Sequence, residues 1–139
     1  MPYQLTPAAD PMAIAERQYG TKKTEVRFTA FTSCIGIVSR TGDEVTGVHL
    51  SIKNENGELF DAAAIPQVMA ALGANYTEAF IIGSIDIWQN PDNGVADAYA
   101  ELERQVRDGV NEQDFNTYPL GNGTYGGEIE DDRLGPTYV

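Results

Sequence analysis

A chain of 139 residues can bury about two-thirds of the surface its unfolded form exposes, so a single domain needs neither metal nor disulfide to hold it together. A net charge of −12 repels nucleic acid and anionic membranes and leaves neutral or basic protein surfaces as the expected partners. The one cysteine, Cys34, excludes an intramolecular disulfide and the multi-cysteine zinc patterns, and no cofactor or metal is expected.

The start, MPYQLTPAAD, lacks the basic and apolar regions of a signal peptide, and no run approaches the ~20 apolar residues of a membrane span. The expectation is a cytoplasmic protein, or one exported without a cleavable signal, with no membrane insertion. Residues 1–139 read as one domain. Asp10 as N-cap and Pro11 at the first helical position predict a short helix over about 11–19, stopped at Gly20.

Thr24 to Ser39 reads as one long strand, bulged if need be. Its second half belongs to the most informative stretch, FTSCIGIVSRTGDEVTGVHLSI, in which two β-prone runs flank the turn Arg40-Thr41-Gly42-Asp43. A loop centred between Thr41 and Gly42 sets Cys34 directly opposite the only histidine, His49, with Cβ atoms ~5 Å apart. Alternation assigns Phe31, Ser33, Ile35 and Ile37, with Thr46, Val48, Leu50 and Ile52, to a core face. The other face carries Thr32, Cys34, Gly36, Val38, Val45, Gly47, His49 and Ser51. There the facing glycines Gly36 and Gly47, with Ser51, read as an open floor that a substrate approaches.

Asp61 is expected to cap a helix over Ala62 to Leu72, with Ile65, Val68, Met69 and Leu72 as its core stripe and Gly73 as its stop. Glu78 to Trp88 reads as a central strand covered on both faces. Asp86 interrupts it, and either orients His49 or caps the helical region that follows. Val95 to Val106 forms an amphipathic helix ended by Gly109. Gln113 to Tyr118 and Tyr125 to Ile129 are candidate strands in a glycine-rich tail expected to be flexible after about 120. The carboxylates at 128, 130, 131 and 132 read as a solvated acidic turn.

Thr32-Ser33-Cys34, then a β-run, then Gly47-Val48-His49-Leu50 resemble the Gly-Ser-Cys and Gly-Gly-x-x-His elements of the chemoreceptor glutamine deamidase (CheD) family. Phe60-Asp61, AAAIPQVMAALGA and AFIIGSIDIW resemble that family's next elements, and the likeness covers roughly Val26 to Trp88. Similar Cys-His spacing occurs in the catalytic domains of cytotoxic necrotizing factor-type toxins. The sequence departs from the family at Thr32, where a Gly is usual, and at Gly83-Ser84 in place of Gly-Gly. The family's assisting threonine, six residues before the nucleophile, is here Phe28. Thr32, Thr29 through a bulge, or a main-chain carbonyl as in the toxins are the alternatives for the third catalytic group.

The resemblance implies an α+β fold, a mostly antiparallel sheet or sandwich packed with two to three helices. It implies a Cys34 nucleophile and a His49 base, drawn as a thiolate-imidazolium pair, acting on a target protein that carries a reactive glutamine. A strand location for Cys34 speaks against papain-like peptidases, which use a helix N-terminus. The alternative is a non-catalytic acidic protein-binding or regulatory module on the same fold.

Overall fold

The computed structural model describes residues 2–138. The chain is α+β, with β1 (Thr6–Pro7), β2 (Gln18–Lys23), β3 (Glu25–Arg27), β4 (Ile35–Thr41), β5 (Glu44–Leu50), α1 (Ile65–Leu72) and β6 (Glu78–Gly83). There follow α2 (Ile85–Gln89), α3 (Ala96–Asp108), β7 (Phe115–Pro119), β8 (Tyr125–Glu130) and β9 (Arg133–Tyr138). A six-stranded mixed sheet runs β1-β2-β5-β4-β6-β7, and a three-stranded sheet runs β3-β8-β9. The large sheet is the middle layer.

Its two faces build two cores by period-two alternation. Ile35, Ile37, Val48, Leu50 and Ile81 face the helices, packing with Val68, Trp88, Tyr99 and Leu102. Val38, Val45, Phe80 and Ile82 face the small sheet and pack with Ile14, Val26, Phe28, Phe31 and Tyr125. Gly127 lets the sheets approach, because a Cβ there would lie 2.6 Å from Val38 and 3.0 Å from Phe80. An ion-paired cluster closes one end: Arg40 Nη1 donates to Glu78 Oε2 at 2.9 Å and Nη2 to Asp132 Oδ1 at 2.6 Å. Asp131 and Asp132 form the β8–β9 turn with φ of 52° and 62°.

The hairpin turns one residue later than the sequence reading places it. Gly42, at φ 62°, takes the first central position of a two-residue turn closed by the pair Thr41 and Glu44. His49 therefore pairs with Gly36, and the same register carried one step beyond β4 sets Cys34 across from Ser51. Because the shift is two residues along the partner strand, Cys34 and His49 keep their shared face but become diagonal neighbours.

Four further expectations are corrected. No helix forms over 11–19: Asp10 caps only one turn, through Met12 N at 2.9 Å. The chain instead runs into β2, whose six residues pair with β5, so an edge of ladder bonds outweighs a short helix. Thr24 to Ser39 is not one strand, because β3 and β4 belong to different sheets and the segment between them crosses the core. The expected strand over 78–88 stops at Gly83, whose φ of 116° turns the chain into α2. The tail past about 120 is not loose, since β8 and β9 pair along six residues each.

The helices follow their local chemistry. The Asp61 side chain caps a 3-10 turn by accepting from Ala63 N at 3.0 Å, and α1 then buries Ile65, Val68 and Leu72 and ends at Gly73, φ 81°. In α3, Tyr99, Leu102 and Val106 are buried, and Glu103 pairs with Arg107 one turn later at 3.3 Å.

Candidate active site

Cys34 lies immediately before β4 and is fully buried. Its thiol donates to the Thr32 carbonyl, Sγ to O 3.5 Å, and its own carbonyl accepts from Ser84 N at 2.9 Å. Gly83 is needed there, since a Cβ at that position would stand 2.6 Å from the Cys34 oxygen.

His49, in β5, is equally buried, and its Nδ1 lies 2.8 Å from the Ile14 main-chain oxygen. A carbonyl only accepts, so in the neutral ring Nδ1 carries the proton and Nε2 is left with a bare lone pair. Nε2 is buried and has no hydrogen-bond partner. The rings of Phe31 and Phe28 stand against the imidazole, with centroids 4.6 and 5.6 Å away.

This apolar setting decides the charge state. Burial pushes the Cys34 thiol up to about 11. Burial likewise pushes His49 down to about 4, opposed by the hydrogen bond to Ile14. At neutral pH the pair is thiol and imidazole, and the thiolate-imidazolium pair expected from the sequence is not the resting state. No hydrogen bond joins the two side chains among the described residues.

The expected substrate floor is also corrected. A Cβ on Gly36 would meet Phe28 at 2.7 Å and Phe31 at 3.0 Å, and one on Gly47 would meet Ile14 and Phe28 at 3.1 Å. The space over both glycines is filled by the protein's own rings, because the segment between β3 and β4 crosses it. Asp86 does not orient His49: it sits exposed in the first turn of α2, while the Nδ1 partner is Ile14 O.

Thr32 and Ser51 are placed elsewhere in the same neighbourhood. They line an open cleft of about 640 Å³ with Arg17, Ser33, Lys53 and Asp92, and neither Cys34 nor His49 reaches its wall. Thr32 contributes its carbonyl to the thiol, and Ser51 Oγ accepts from Arg17 Nη1 at 2.7 Å while donating to Lys53 O at 2.8 Å. The cleft thus lies beside Thr32, Ser33 and Ser51, with Cys34 one residue beneath.

Two contributors were missed by the sequence reading. Ile14 supplies the carbonyl that fixes the histidine tautomer, and Arg17 supplies the nearest cation. Arg17, at φ 61°, donates its backbone N–H to His49 O at 2.7 Å and pairs with Glu55 at 3.1 Å. Its charge lowers the pKa of both Cys34 and His49. Both residues fell inside the helix expected over 11–19, which hid them.

No family model matches the chain, and no curated protein matches it. Among solved structures the chain is distantly similar to one described as the C-terminal domain of CNFy from Yersinia pseudotuberculosis, with a TM-score of 0.38 and 13% identity. The alignment covers 86% of this chain and 45% of that one, so this chain spans less than half of that chain's length.

Proposed function

We propose that this chain is a cysteine hydrolase that removes ammonia from a glutamine side chain on a partner protein, with Cys34 as nucleophile and His49 as base. The observation that carries the reading is the bare Nε2 of His49. A buried nitrogen without a partner costs about 1–3 kcal/mol, and it stands on the same sheet face as the only thiol in the sequence. A base already in the right tautomer accounts for that cost.

In the reaction, a turn of the Cys34 side chain away from Thr32 O brings the thiol toward Nε2. As Sγ bonds to the carboxamide carbon, the thiol proton passes to Nε2 and the carbonyl electron pair moves to oxygen. Collapse breaks the C–N bond, and the Nε2 proton leaves with the amine as ammonia. Water, deprotonated by Nε2, attacks the thioester; the S–C bond breaks, a glutamate is released, and Cys34 recovers its proton. Arg17 stabilises negative charge forming beside Cys34. The resemblance of the Cys34 and His49 stretches to glutamine deamidases supports this choice of amide, and the net charge of −12 favours a target with neutral or basic surface.

A second reading is supported by a different observation. Cys34 is fully buried and its thiol is raised to about 11, as in a structural cysteine, which fits a non-catalytic binding module. Alkylation of Cys34 by iodoacetamide at pH 7, in wild type and His49→Gln, separates the two. A base at Nε2 makes the variant at least about tenfold slower, within the range for a single general base. Equal rates assign the pair to packing alone. Ammonia release from casein, lost in Cys34→Ser, then tests turnover on glutamine.

A further inference from the structure

The Thr32–Ser33 peptide stands between the thiol and the cleft, and its two polar ends point to different partners. Its carbonyl accepts the Cys34 thiol at 3.5 Å. Its N–H, on the opposite edge of a trans peptide, donates to Asn122 Oδ1 at 2.9 Å. Asn122 belongs to the loop between β7 and β8, 89 positions away in sequence. That loop is itself tied down: the Tyr125 hydroxyl donates to Gly121 O at 2.8 Å, and Phe31 N donates to Gly123 O at 2.7 Å.

Ser33 has a φ of 61°, a conformation that residues with a Cβ seldom adopt, and Trp88 Nε1 holds its carbonyl at 3.0 Å. Rotating the Thr32–Ser33 peptide by half a turn returns Ser33 to ordinary extended φ. The same rotation carries the N–H to the edge where the carbonyl now meets the thiol. One motion would release Cys34 from its acceptor and set an N–H donor beside it. A thiol attacking a carboxamide needs such a donor for the oxygen on which charge develops.

We infer that the Ser33 amide is the oxyanion donor of this site, turned away from Cys34 in the resting molecule and latched there by the Asn122 carboxamide. Asn122 is a positioning residue that acts through the Ser33 peptide, and substrate entry requires its release. The inference rests on the hydrolase reading. It also explains how a site with a buried, neutral thiol becomes reactive without unfolding the sheet.

The test is the rate of Cys34 alkylation by iodoacetamide at pH 8 in two variants expected to act in opposite directions and in a third that serves as their control. Asn122→Ala removes the latch and is expected to raise the rate about fivefold, the equivalent of one hydrogen bond of ordinary strength. Asn122→Asp keeps an acceptor oxygen and is expected to stay within twofold of wild type. Ser33→Gly removes the cost of the left-handed conformation, stabilises the resting peptide and is expected to lower the rate about fivefold. Movement of both Asn122→Ala and Ser33→Gly in the same direction, or no movement of either beyond twofold, overturns the inference. The alkylation readout needs no turnover. Opposed shifts without ammonia release in any variant would sink the deamidase reading and leave the latch standing, whereas His49-dependent ammonia release with unmoved alkylation would do the reverse.

Discussion

Burial of His49 as a neutral ring should be visible as a loss of stability in mild acid. In the unfolded chain an imidazole titrates near 6.5, whereas in the fold His49 is pushed down to about 4 by desolvation. Between those values the unfolded chain binds a proton that the folded one refuses, so stability is complete above pH ~6.5 and falls as pH decreases toward 4. From pH 7 to pH 5 the loss is about 2 kcal/mol, at 1.36 kcal/mol per pH unit. With a urea m-value of about 2 kcal/mol/M, the unfolding midpoint should drop by roughly 1 M.

His49→Gln carries no titrating ring, so its midpoint should change less over the same range, whatever its stability at pH 7. The carboxylates titrate in both proteins and cancel in the comparison. Because His49 is the only histidine, its ring resonances can be followed unambiguously and should not titrate between pH 7.5 and 5. Parallel loss of stability in the two proteins, or a ring that titrates near 6.5, would refute the argument that the aromatic cover keeps this imidazole dry and neutral.

Three other outcomes follow from the same packing. Wild-type Cys34, with its thiol raised to about 11, should hold only ~10⁻³ thiolate at pH 8 against about a quarter for a free thiol, so its alkylation should be at least about 200-fold slower than that of free cysteine. Gly36→Ala drives a Cβ into Phe28 at 2.7 Å and should cost about 1–3 kcal/mol in urea unfolding, with relief in a Gly36→Ala, Phe28→Leu double variant; a neutral effect would mean that the glycine face is open after all. Arg40→Ala removes the 2.9 Å partner of the Glu78 carboxylate, 12% exposed, and leaves it Arg133 Nε at 3.5 Å and the Leu134 N–H at 3.2 Å, so it should cost about 2 kcal/mol at pH 7; a loss under about 0.5 kcal/mol would show that these remaining partners and solvent already compensate the charge.

Much of the scaffold was legible locally. Alternation along 35–37 and 45–50 identified a hairpin and its helix-facing core, and the spacing of Ile65, Val68 and Leu72, or of Tyr99, Leu102 and Val106, marked α1 and α3. These patterns arise from contacts within one element or between adjacent strands. That Cys34 and His49 share a face was legible for the same reason, since side-chain alternation survives a two-residue change in pairing.

What surrounds that face was decided only by tertiary structure. The turn centre at Gly42-Asp43 rests on a single left-handed glycine, and it converts a direct Cys-His pair into a diagonal one. The segments before β2 and between β3 and β4 then cover the polar-looking face with Ile14, Phe28 and Phe31, from stretches read as a helix and a strand. Ile14 and Arg17 reach His49 because the chain does not form the helix expected over 11–19 and instead enters β2, whose residues 18–23 pair with β5. No local pattern carries that information. The composition of a face says which residues share it, but whether water, substrate or another sheet lies against it depends on long-range burial, and here that burial sets the protonation of both Cys34 and His49.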